Sequence, residues 1–328
     1  MINFKALWQN QQRIIYSIIG LVSTIFVLTT FALCIKWNRV ASDTNPTNYV
    51  GNFTGTDWVG YQSGTLSIAA LSNPEGKNHG TCKILTDNDN YVAHNLIIPN
   101  IIKDNADNLY DIIQIGDSAF NGNDALTGTL ILPSVLQTIG NSSFFACHHL
   151  SGDLIIPEGV TSIGEYAFIA AGFTGNLTIA STVETIGTSA FRGSEFTGTL
   201  MFKEGLKTIG FQAFQNTRFS GTLILPSSLT SISEAAFGVC EYFTALIFKY
   251  SNTTIATDAF RYCSGLRYLA FDGWAAAPSW TTEFAFGNLR DIGIIYSLNS
   301  ACSPITLRTA LSACGLPPAW AAGSGFIF

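Results

Sequence analysis

The phrase Ile115-Gly116-Asp117-Ser118-Ala119-Phe120 decides the fold of this chain, because close variants of it follow at nearly constant spacing. Seven copies occur, and the phenylalanines that end them are 24, 24, 23, 23, 23 and 23 residues apart. These residues are Phe120, Phe144, Phe168, Phe191, Phe214, Phe237 and Phe260. A period of this kind indicates a repeat array, in which each repeat buries its apolar side against its neighbours.

A second recurring segment lies between the phrases. It is a short run with apolar residues two apart that often ends in proline, as in Leu130-Ile131-Leu132-Pro133. This alternation predicts a short strand, and proline ends it because proline has no N–H group to donate to a sheet. A further extended segment, such as Val160-Thr161-Ser162-Ile163, leads into each glycine. We therefore predict a repeat solenoid, mainly β, with parallel short strands and one turn per repeat.

Each repeat is expected to contribute three side chains to inward columns: the first leucine of the strand, the isoleucine of the phrase and the phenylalanine of the phrase. The leucines are Leu130, Leu154, Leu177, Leu200, Leu223, Leu246 and Leu269. The residue before each phenylalanine is alanine except at Ser143, as suits closely packed backbones. The glycine after isoleucine is expected to adopt unusual backbone angles at a sharp bend.

The repeats resemble the bacterial BspA-type leucine-rich repeat family, whose unit has the form L-x-x-I-x-I-P-x-x-V-x-x-I-G-x-x-A-F-x-x-C. Residues 115–272 match this pattern closely, and weaker matches extend to about 96 and 300. Most early copies carry one extra residue at a turn, as in Leu126-Thr127-Gly128-Thr129-Leu130. The resemblance implies a curved solenoid used for surface adhesion and protein recognition, and it brings no catalytic residues.

The amino-terminal region predicts a membrane anchor. After a short tail, 1–13, residues 14–35 form a run of 22 residues without a charge, which is long enough for a helix to span a bilayer. A cleaved signal peptide is the alternative, but its apolar region is usually shorter and ends in an A-x-A-like site. Basic residues on the two sides balance, so they say little about orientation. We predict an uncleaved, single-pass signal anchor in the cell membrane with the repeat domain extracellular.

The composition divides the rest of the chain into four parts. Residues 36–64 are rich in Ser, Asn, Thr, Gly and Asp and are predicted to be a polar linker. An amino-terminal cap with a degenerate repeat is expected over 65–111, and the seven-copy solenoid over 112–272. A carboxyl-terminal cap follows over 273–328, in which the pattern of 306–317 predicts a short closing helix.

The chain has seven cysteines. Cys147, Cys240 and Cys263 each follow a repeat phenylalanine by three residues, and we expect them to be small buried apolar side chains. A disulfide between Cys240 and Cys263 is compatible with strands about 4.8 Å apart, so that alternative stays open. Cys302 precedes the predicted closing helix and Cys314 lies near its end, and these two cysteines are the candidate disulfide.

Residues that carry chemistry are sparse. The net charge is −6 and no stripe of Lys and Arg is present, which argues against a nucleic-acid partner. His148-His149 and Asp87-Asn88-Asp89-Asn90 lack the further ligands that a metal site needs. Gly-rich phosphate loops and nucleophile elbows are absent. We therefore predict that the protein is not an enzyme and has no catalytic residues, no cofactor site and no metal site.

The outward side chains of the strands supply the candidate site. Strand alternation predicts an outward apolar stripe of Ile131, Ile155, Thr178, Met201, Ile224, Ile247 and Ala270. Polar residues should rim it: Thr129, Asp153, Asn176, Thr199 and Thr222. The stripe reflects either the strand preference of β-branched residues or a contact surface. The functional hypothesis is a protein-binding or adhesion module for a protein of a host or neighbouring cell. The alternative is a structural surface protein that associates with itself.

Overall fold

The computed structural model describes residues 37–39, 48–57, 60–72, 79–85, 92–103, 108–249, 253–272, 285–286, 294–298 and 321–322. All of them belong to one of the two units into which the chain divides, Cys34–Phe328. The predicted tail 1–13, the anchor 14–35, the closing helix 306–317 and the Cys302–Cys314 pair lie outside the described residues. No helix able to cross a bilayer occurs in the part of the chain that the structure describes.

The described elements are all β-strands. They are β1 (Trp37–Arg39), β2 (Asn48–Asp57), β3 (Gly60–Ser72), β4 (Gly80–Ile84), β5 (Val92–Ile97), β6 (Ile101–Lys103), β7 (Leu109–Ile115), β8 (Leu126–Ile131), β9 (Thr138–Ile139), β10 (Leu154–Ile155), β11 (Ser162–Ile163), β12 (Leu177–Ile179), β13 (Thr185–Ile186), β14 (Leu200–Phe202), β15 (Thr208–Ile209), β16 (Gly221–Leu225), β17 (Ser231–Ile232), β18 (Phe243–Lys249), β19 (Thr254–Ile255), β20 (Tyr268–Asp272), β21 (Ile294–Leu298) and β22 (Ala321–Ala322).

Two rows of parallel strands run along the repeats. One row follows the order β7-β9-β11-β13-β15-β17-β19 and pairs each repeat isoleucine with the next, as in Ile139 with Ile163 and Ile163 with Ile186. The other row contains β10-β12-β14 and β16-β18-β20 and pairs the first strand leucines, as in Leu154 with Leu177. Each repeat supplies one strand to each row, so the predicted mainly-β parallel solenoid is confirmed.

The Ala-Phe segments form the remaining side of each turn. Their backbone N–H groups donate to carbonyls of the following turn, as from Phe144 to Ala167 at 2.7 Å and from Phe168 to Ala190 at 2.7 Å. The chain reaches this geometry through left-handed residues on both sides of each phenylalanine, such as Ser142 (φ 51°) and Ala146 (φ 52°). Successive turns are therefore joined by hydrogen bonds on this side as well as in the two strand rows.

The predicted inward columns are confirmed. The first strand leucines, the isoleucines and the phenylalanines of all seven repeats are buried. The seven phenylalanine rings stack in one column, with consecutive ring centroids 5.0–5.3 Å apart. The alanine before each phenylalanine is buried too, and so is Ser143. Because these columns are continuous from turn to turn, the core extends through the whole array.

A second buried aromatic column was not predicted. Phe173, Phe196, Phe219 and Phe243 are fully buried and meet the rings of the first column edge-on at 6.1–6.4 Å. They follow the repeat phenylalanine by five or six residues, where other turns have leucine, as at Leu150. These four phenylalanines recur at the repeat period, so the sequence contained the information needed to predict the second column. The central turns thus have a more aromatic core than the turns before and after them.

In the five repeats where glycine follows the isoleucine, the glycine allows close approach of the neighbouring turn and does not, as expected, adopt an unusual backbone angle. The sixth and seventh repeats have Ser233 and Ala256 at this position. Left-handed angles of 51–59° occur two residues later, at Ser118, Ser142, Tyr166, Ser189, Gln212, Ala235 and Asp258. A Cβ atom on Gly140 would lie 2.6 Å from the backbone nitrogen of Asp117 in the preceding turn. The prediction of an unusual backbone angle at these glycines was wrong, because the steric limit comes from the neighbouring backbone.

The amino-terminal part differs from the prediction of a polar linker over 36–64. Strands β2 and β3 form an antiparallel pair in continuous register from Asn48 with Ala69 to Asp57 with Gly60. Backbone hydrogen bonds hold such a pair, and they need no apolar alternation on the strands. The sequence of β2 and β3 therefore shows no periodicity that would indicate the pair. The cap predicted over 65–111 contains the end of β3, strands β4 to β6 and the start of β7, and β4 joins the parallel row by pairing with β7.

Candidate functional site

The stripe predicted on the outward face of the strands contains exposed aliphatic side chains. Ile131 is 37% exposed, Ile155 52%, Met201 50% and Ile224 43%. Thr178 and Ile247 at the equivalent positions are half-buried. The leucine before each of these residues points inward and is buried. The structure therefore places six of the seven predicted residues on one outward face.

Strand register keeps these side chains in line. Ile155 pairs with Thr178, and Thr178 pairs with Met201, along β10-β12-β14. Ile224 pairs with Ile247 along β16-β18. Because neighbouring parallel strands lie about 4.8 Å apart, the side chains follow one another at that spacing along the array. We call Ile131, Ile155, Thr178, Met201, Ile224 and Ile247 the apolar stripe.

Ala270 does not belong to the exposed face, contrary to the prediction. Its side chain is only 5% exposed although it pairs in register with Ile247. The sheet continues past Ala270, because β20 pairs with β21 on its other side. A methyl group also projects less than the side chain of Ile or Met. The apolar stripe therefore ends at Ile247.

Polar residues line the side of the stripe where the strands begin. Asp153 Oδ1 accepts a hydrogen bond from the Asn176 backbone N–H at 2.7 Å and from its side-chain Nδ2 at 3.2 Å. Asn176 Oδ1 in turn accepts from the Thr199 backbone N–H at 2.8 Å and the Thr199 hydroxyl at 2.9 Å. The predicted polar rim is present, and inter-turn hydrogen bonds fix the orientation of its side chains.

Ion pairs line the side where the strands end. Lys203 Nζ lies 2.7 Å from Glu158 Oε1, and the Ser181 hydroxyl donates to Glu158 Oε2 at 2.8 Å. These two hydrogen bonds, from Lys203 first and then Ser181, lower the pKa of the Glu158 carboxyl. Two turns on, Lys249 pairs with Glu204 at 2.9 Å. This edge of the face is therefore charged but locally neutral.

Tyr268 extends the outward face at its carboxyl end and was missed. It is 36% exposed and occupies the rim column, where it pairs with Ala245. The equivalent positions in earlier turns are Thr or other polar residues, such as Thr222. The strand alternation that predicted the stripe also predicts an outward side chain at Tyr268, which precedes the inward Leu269. The rim column thus changes from polar to apolar over the last two regular turns.

The structure also shows the surroundings of the other residues that sequence analysis considered. His148 and His149 are exposed, and His148 Nδ1 lies 2.9 Å from Asp124 Oδ1. This hydrogen bond lowers the pKa of the Asp124 carboxyl. Among the described residues, no three His, Cys, Asp or Glu side chains are grouped to hold a metal ion. Asp87 to Asn90 lie outside the described residues.

Four cysteines lie in the described part of the chain, and all four are buried as thiols. Cys147, Cys240 and Cys263 donate to the carbonyl of the phenylalanine one turn earlier at 3.0, 3.1 and 3.0 Å. The prediction of small buried side chains at these positions is confirmed. Cys82 is the fourth, and burial raises the pKa of its thiol to about 12.

The strand topology and the outward face of the strands together define a parallel β-solenoid repeat protein with an outward apolar stripe between two polar edges. The model of the family described as "BspA type Leucine rich repeat region" matches six copies, in residues 105–195 and 170–277. These matches cover more than half of the 328 residues. The chain therefore belongs to the BspA-type leucine-rich repeat family.

The solved structures to which this chain is similar include two leucine-rich repeat proteins and a vaccine antigen. A leucine-rich repeat protein of T. pallidum is 16% identical, with 77% of this chain and 97% of that chain covered and a TM-score of 0.42. A leucine-rich repeat protein from Bacteroides ovatus is 17% identical, with 71% of this chain and 80% of that chain covered and a TM-score of 0.27. The pneumococcal vaccine antigen PcpA is 14% identical, with 80% of this chain and 97% of that chain covered and a TM-score of 0.38. The comparison with curated protein sequences found no match.

Proposed function

We propose that this chain is a membrane-anchored cell-surface leucine-rich repeat protein whose repeat domain binds a protein of a host or neighbouring cell. The observation that carries the proposal is the apolar stripe. Large apolar side chains such as Ile155 and Met201 remain about half exposed along one line, with Thr178 between these two. Contiguous exposed apolar surface of this kind often marks an interaction site.

Strand preference alone does not account for the stripe. β-Branched residues favour strands whatever their role, but Met201, in the middle of the stripe, is not β-branched and is half exposed. Methionine is common at binding surfaces because its flexible side chain adapts to a partner. A strand could have placed threonine at this position, as it does at Thr178. The choice of methionine therefore supports a contact role.

The dimensions of the stripe indicate how a partner binds. From Ile131 to Ile247 the stripe crosses five strand intervals of about 4.8 Å, which gives roughly 24 Å. Complete burial of an aliphatic side chain contributes about 1.5–3 kcal/mol, so covering four half-exposed ones contributes on the order of 4 kcal/mol. A micromolar complex needs about 8 kcal/mol. The partner must therefore also contact the polar edges, including Asp153.

Self-association is the second candidate, and one observation favours it. The apolar stripe contains no ionisable side chain, so two copies meeting through this face would bring no like charges together along it. A standard interface buries about 800 Å² on each partner. This requirement applies to both candidates, so the area of the stripe does not decide between them. One experiment distinguishes the two candidates.

In this experiment, a photo-activated cross-linking amino acid replaces Ile155 in the full-length chain on intact cells, and adducts are identified by mass spectrometry. The matched control carries it at Thr185, which is exposed on the other strand row. An adduct with a different protein from position 155, and not from position 185, supports the proposed function. An adduct with a second copy of the chain supports self-association. Equal adducts from both positions, or none from either, would overturn both candidates.

The proposed location rests on the uncharged run 14–35 and is tested separately. Intact cells producing the full-length chain are treated with protease, and the amino terminus of the protein is determined by mass spectrometry. Loss of the repeat domain from intact cells, with the run 14–35 retained, supports an extracellular domain on an uncleaved anchor. A domain that is degraded only after lysis would contradict this location.

A further inference from the structure

Cys240 and Cys263 occupy the same column position in consecutive turns. Each lies three residues after the repeat phenylalanine, and the rings of Phe237 and Phe260 stack with centroids 5.1 Å apart and planes 2° from parallel. The two turns are therefore parallel and about one strand spacing apart at this column. Disulfide-bonded cysteines have Cα atoms about 4.4–6.8 Å apart, so the spacing of the turns lies within the range that a disulfide needs.

The two thiols have equivalent surroundings. Cys240 donates to the Phe214 carbonyl at 3.1 Å, and Cys263 donates to the Phe237 carbonyl at 3.0 Å, in each case one turn earlier. Both side chains are fully buried. Cys147 stands in the same column, but the equivalent positions in its neighbouring turns hold Asn123 and Ala171. Only the Cys240 and Cys263 positions place two thiols side by side in this column.

We propose that Cys240 and Cys263 are a dithiol site that a low-molecular-weight disulfide such as oxidised glutathione converts to an inter-turn disulfide. A thiolate of one cysteine attacks a sulfur of the oxidant and releases one thiol. The second cysteine then attacks the mixed disulfide and releases the other thiol. One protein S–S bond forms and one oxidant S–S bond breaks. The two protons and two electrons of the protein thiols pass to the oxidant.

The position of the pair suggests what the disulfide does. Cys240 and Cys263 belong to the sixth and seventh repeats, which are the last regular turns. In a repeat array each turn contacts only its neighbours, and after the seventh turn the sheet continues into β21, outside the regular repeats. A covalent link between these turns constrains the unfolded chain and resists their separation. It also fixes the carboxyl end of the outward face, where Ile247 ends the apolar stripe and Tyr268 lies in the rim column.

Burial determines when the link can form. A thiol without solvent access reacts only when its surroundings open locally, and burial also raises the pKa of the Cys263 thiol. Oxidation of the folded chain should therefore be slow, whereas oxidation during refolding should be fast. The full-length chain is refolded in mild detergent with oxidised glutathione, the remaining thiols are alkylated, and tryptic peptides are analysed by mass spectrometry.

The expected product is fragment 219–249 linked to fragment 262–267, lighter than the two separate peptides by two hydrogen atoms. Cys147 should be recovered outside any intramolecular disulfide and serves as the internal control. Refolded Cys240→Ser and Cys263→Ser chains should lack the linked peptide, and the oxidised wild type should have a higher thermal midpoint than the reduced wild type. Recovery of the two fragments unlinked to each other after refolding in excess oxidant, whether alkylated or joined to other cysteines, would overturn the proposal.

Discussion

Replacing Ser143 with alanine should stabilise the protein, although the substitution removes a polar group. Ser143 is fully buried, and its hydroxyl oxygen has no hydrogen-bond partner. It occupies the column before the repeat phenylalanine, where the other six turns have alanine. A methyl group therefore fits the available space. The substitution removes only an oxygen that lost its contact with water on folding and gained nothing in return.

A matched substitution should have the opposite sign. Ser194 is also buried, but its hydroxyl donates to the Phe168 carbonyl at 2.7 Å. Burying a hydroxyl without a partner costs about 1–3 kcal/mol in proteins, so Ser143→Ala should gain an amount of that order. A satisfied hydrogen bond contributes about 0.5–1.5 kcal/mol, so Ser194→Ala should lose that much. The two variants should differ by roughly 1.5–4.5 kcal/mol in the free energy of unfolding.

The measurement is urea denaturation of both variants and the wild type, followed by far-ultraviolet circular dichroism under identical conditions. Ser143→Ala should move the midpoint to higher urea concentration, and Ser194→Ala should move it to lower concentration. Two shifts of the same sign would refute the reasoning. So would a Ser143→Ala chain that is no more stable than the wild type, because the hydroxyl would then have a favourable contact in the folded state.

Three further substitutions test the core, the charged edge and the outward face. Phe191→Ala removes a ring stacked between two others at 5.2 and 5.3 Å and should cost about 3–5 kcal/mol in urea denaturation; a loss near zero would contradict the ring column. Hydrogen bonds from Lys203 and Ser181 lower the pKa of the Glu158 carboxyl from its ordinary value of 4.5. The ionised carboxylate therefore stabilises the fold above pH 4.5, and this contribution disappears as the pH falls through the lower pKa of the folded state. Glu158→Gln should therefore lose less stability below pH 4.5 than the wild type, and equal acid sensitivity of the two chains would contradict this. Ile155→Asp should change stability by only about 0.5 kcal/mol, whereas Ile156→Asp, at a 1% exposed position, should abolish the folded circular dichroism signal; similar losses for both would contradict the assigned strand faces.

The repeat architecture could be predicted because the same sequence pattern occurs in every turn. A single copy of Ile-Gly-x-x-Ala-Phe would have little meaning, but seven copies in register identify the inward columns, as the burial of Ile139 and Phe144 confirms. Alternation along a strand also predicted the outward direction of Ile155 and Met201. These inferences depend on side-chain periodicity, which is a property of local sequence.

At Ala270, periodicity alone was not sufficient to predict whether the side chain is exposed. Alternation places it outward, yet the added strand β21 and its short side chain leave it buried. The strands β2 and β3 were missed for the complementary reason, because their pairing uses backbone groups that the sequence pattern does not display.

By itself, the sequence determined the repeat, its period, the three inward columns and the outward stripe, since each follows from the spacing of apolar side chains along one chain. Only the tertiary structure decided how the turns fit against one another. It showed why glycine follows the isoleucine in five of the seven repeats, which is the approach of the neighbouring backbone. It also showed that the Ser143 hydroxyl has no hydrogen-bond partner and that Cys240 and Cys263 are both fully buried, one turn apart. These properties depend on distances between residues about 23 positions apart, and such distances exist only once the turns have stacked.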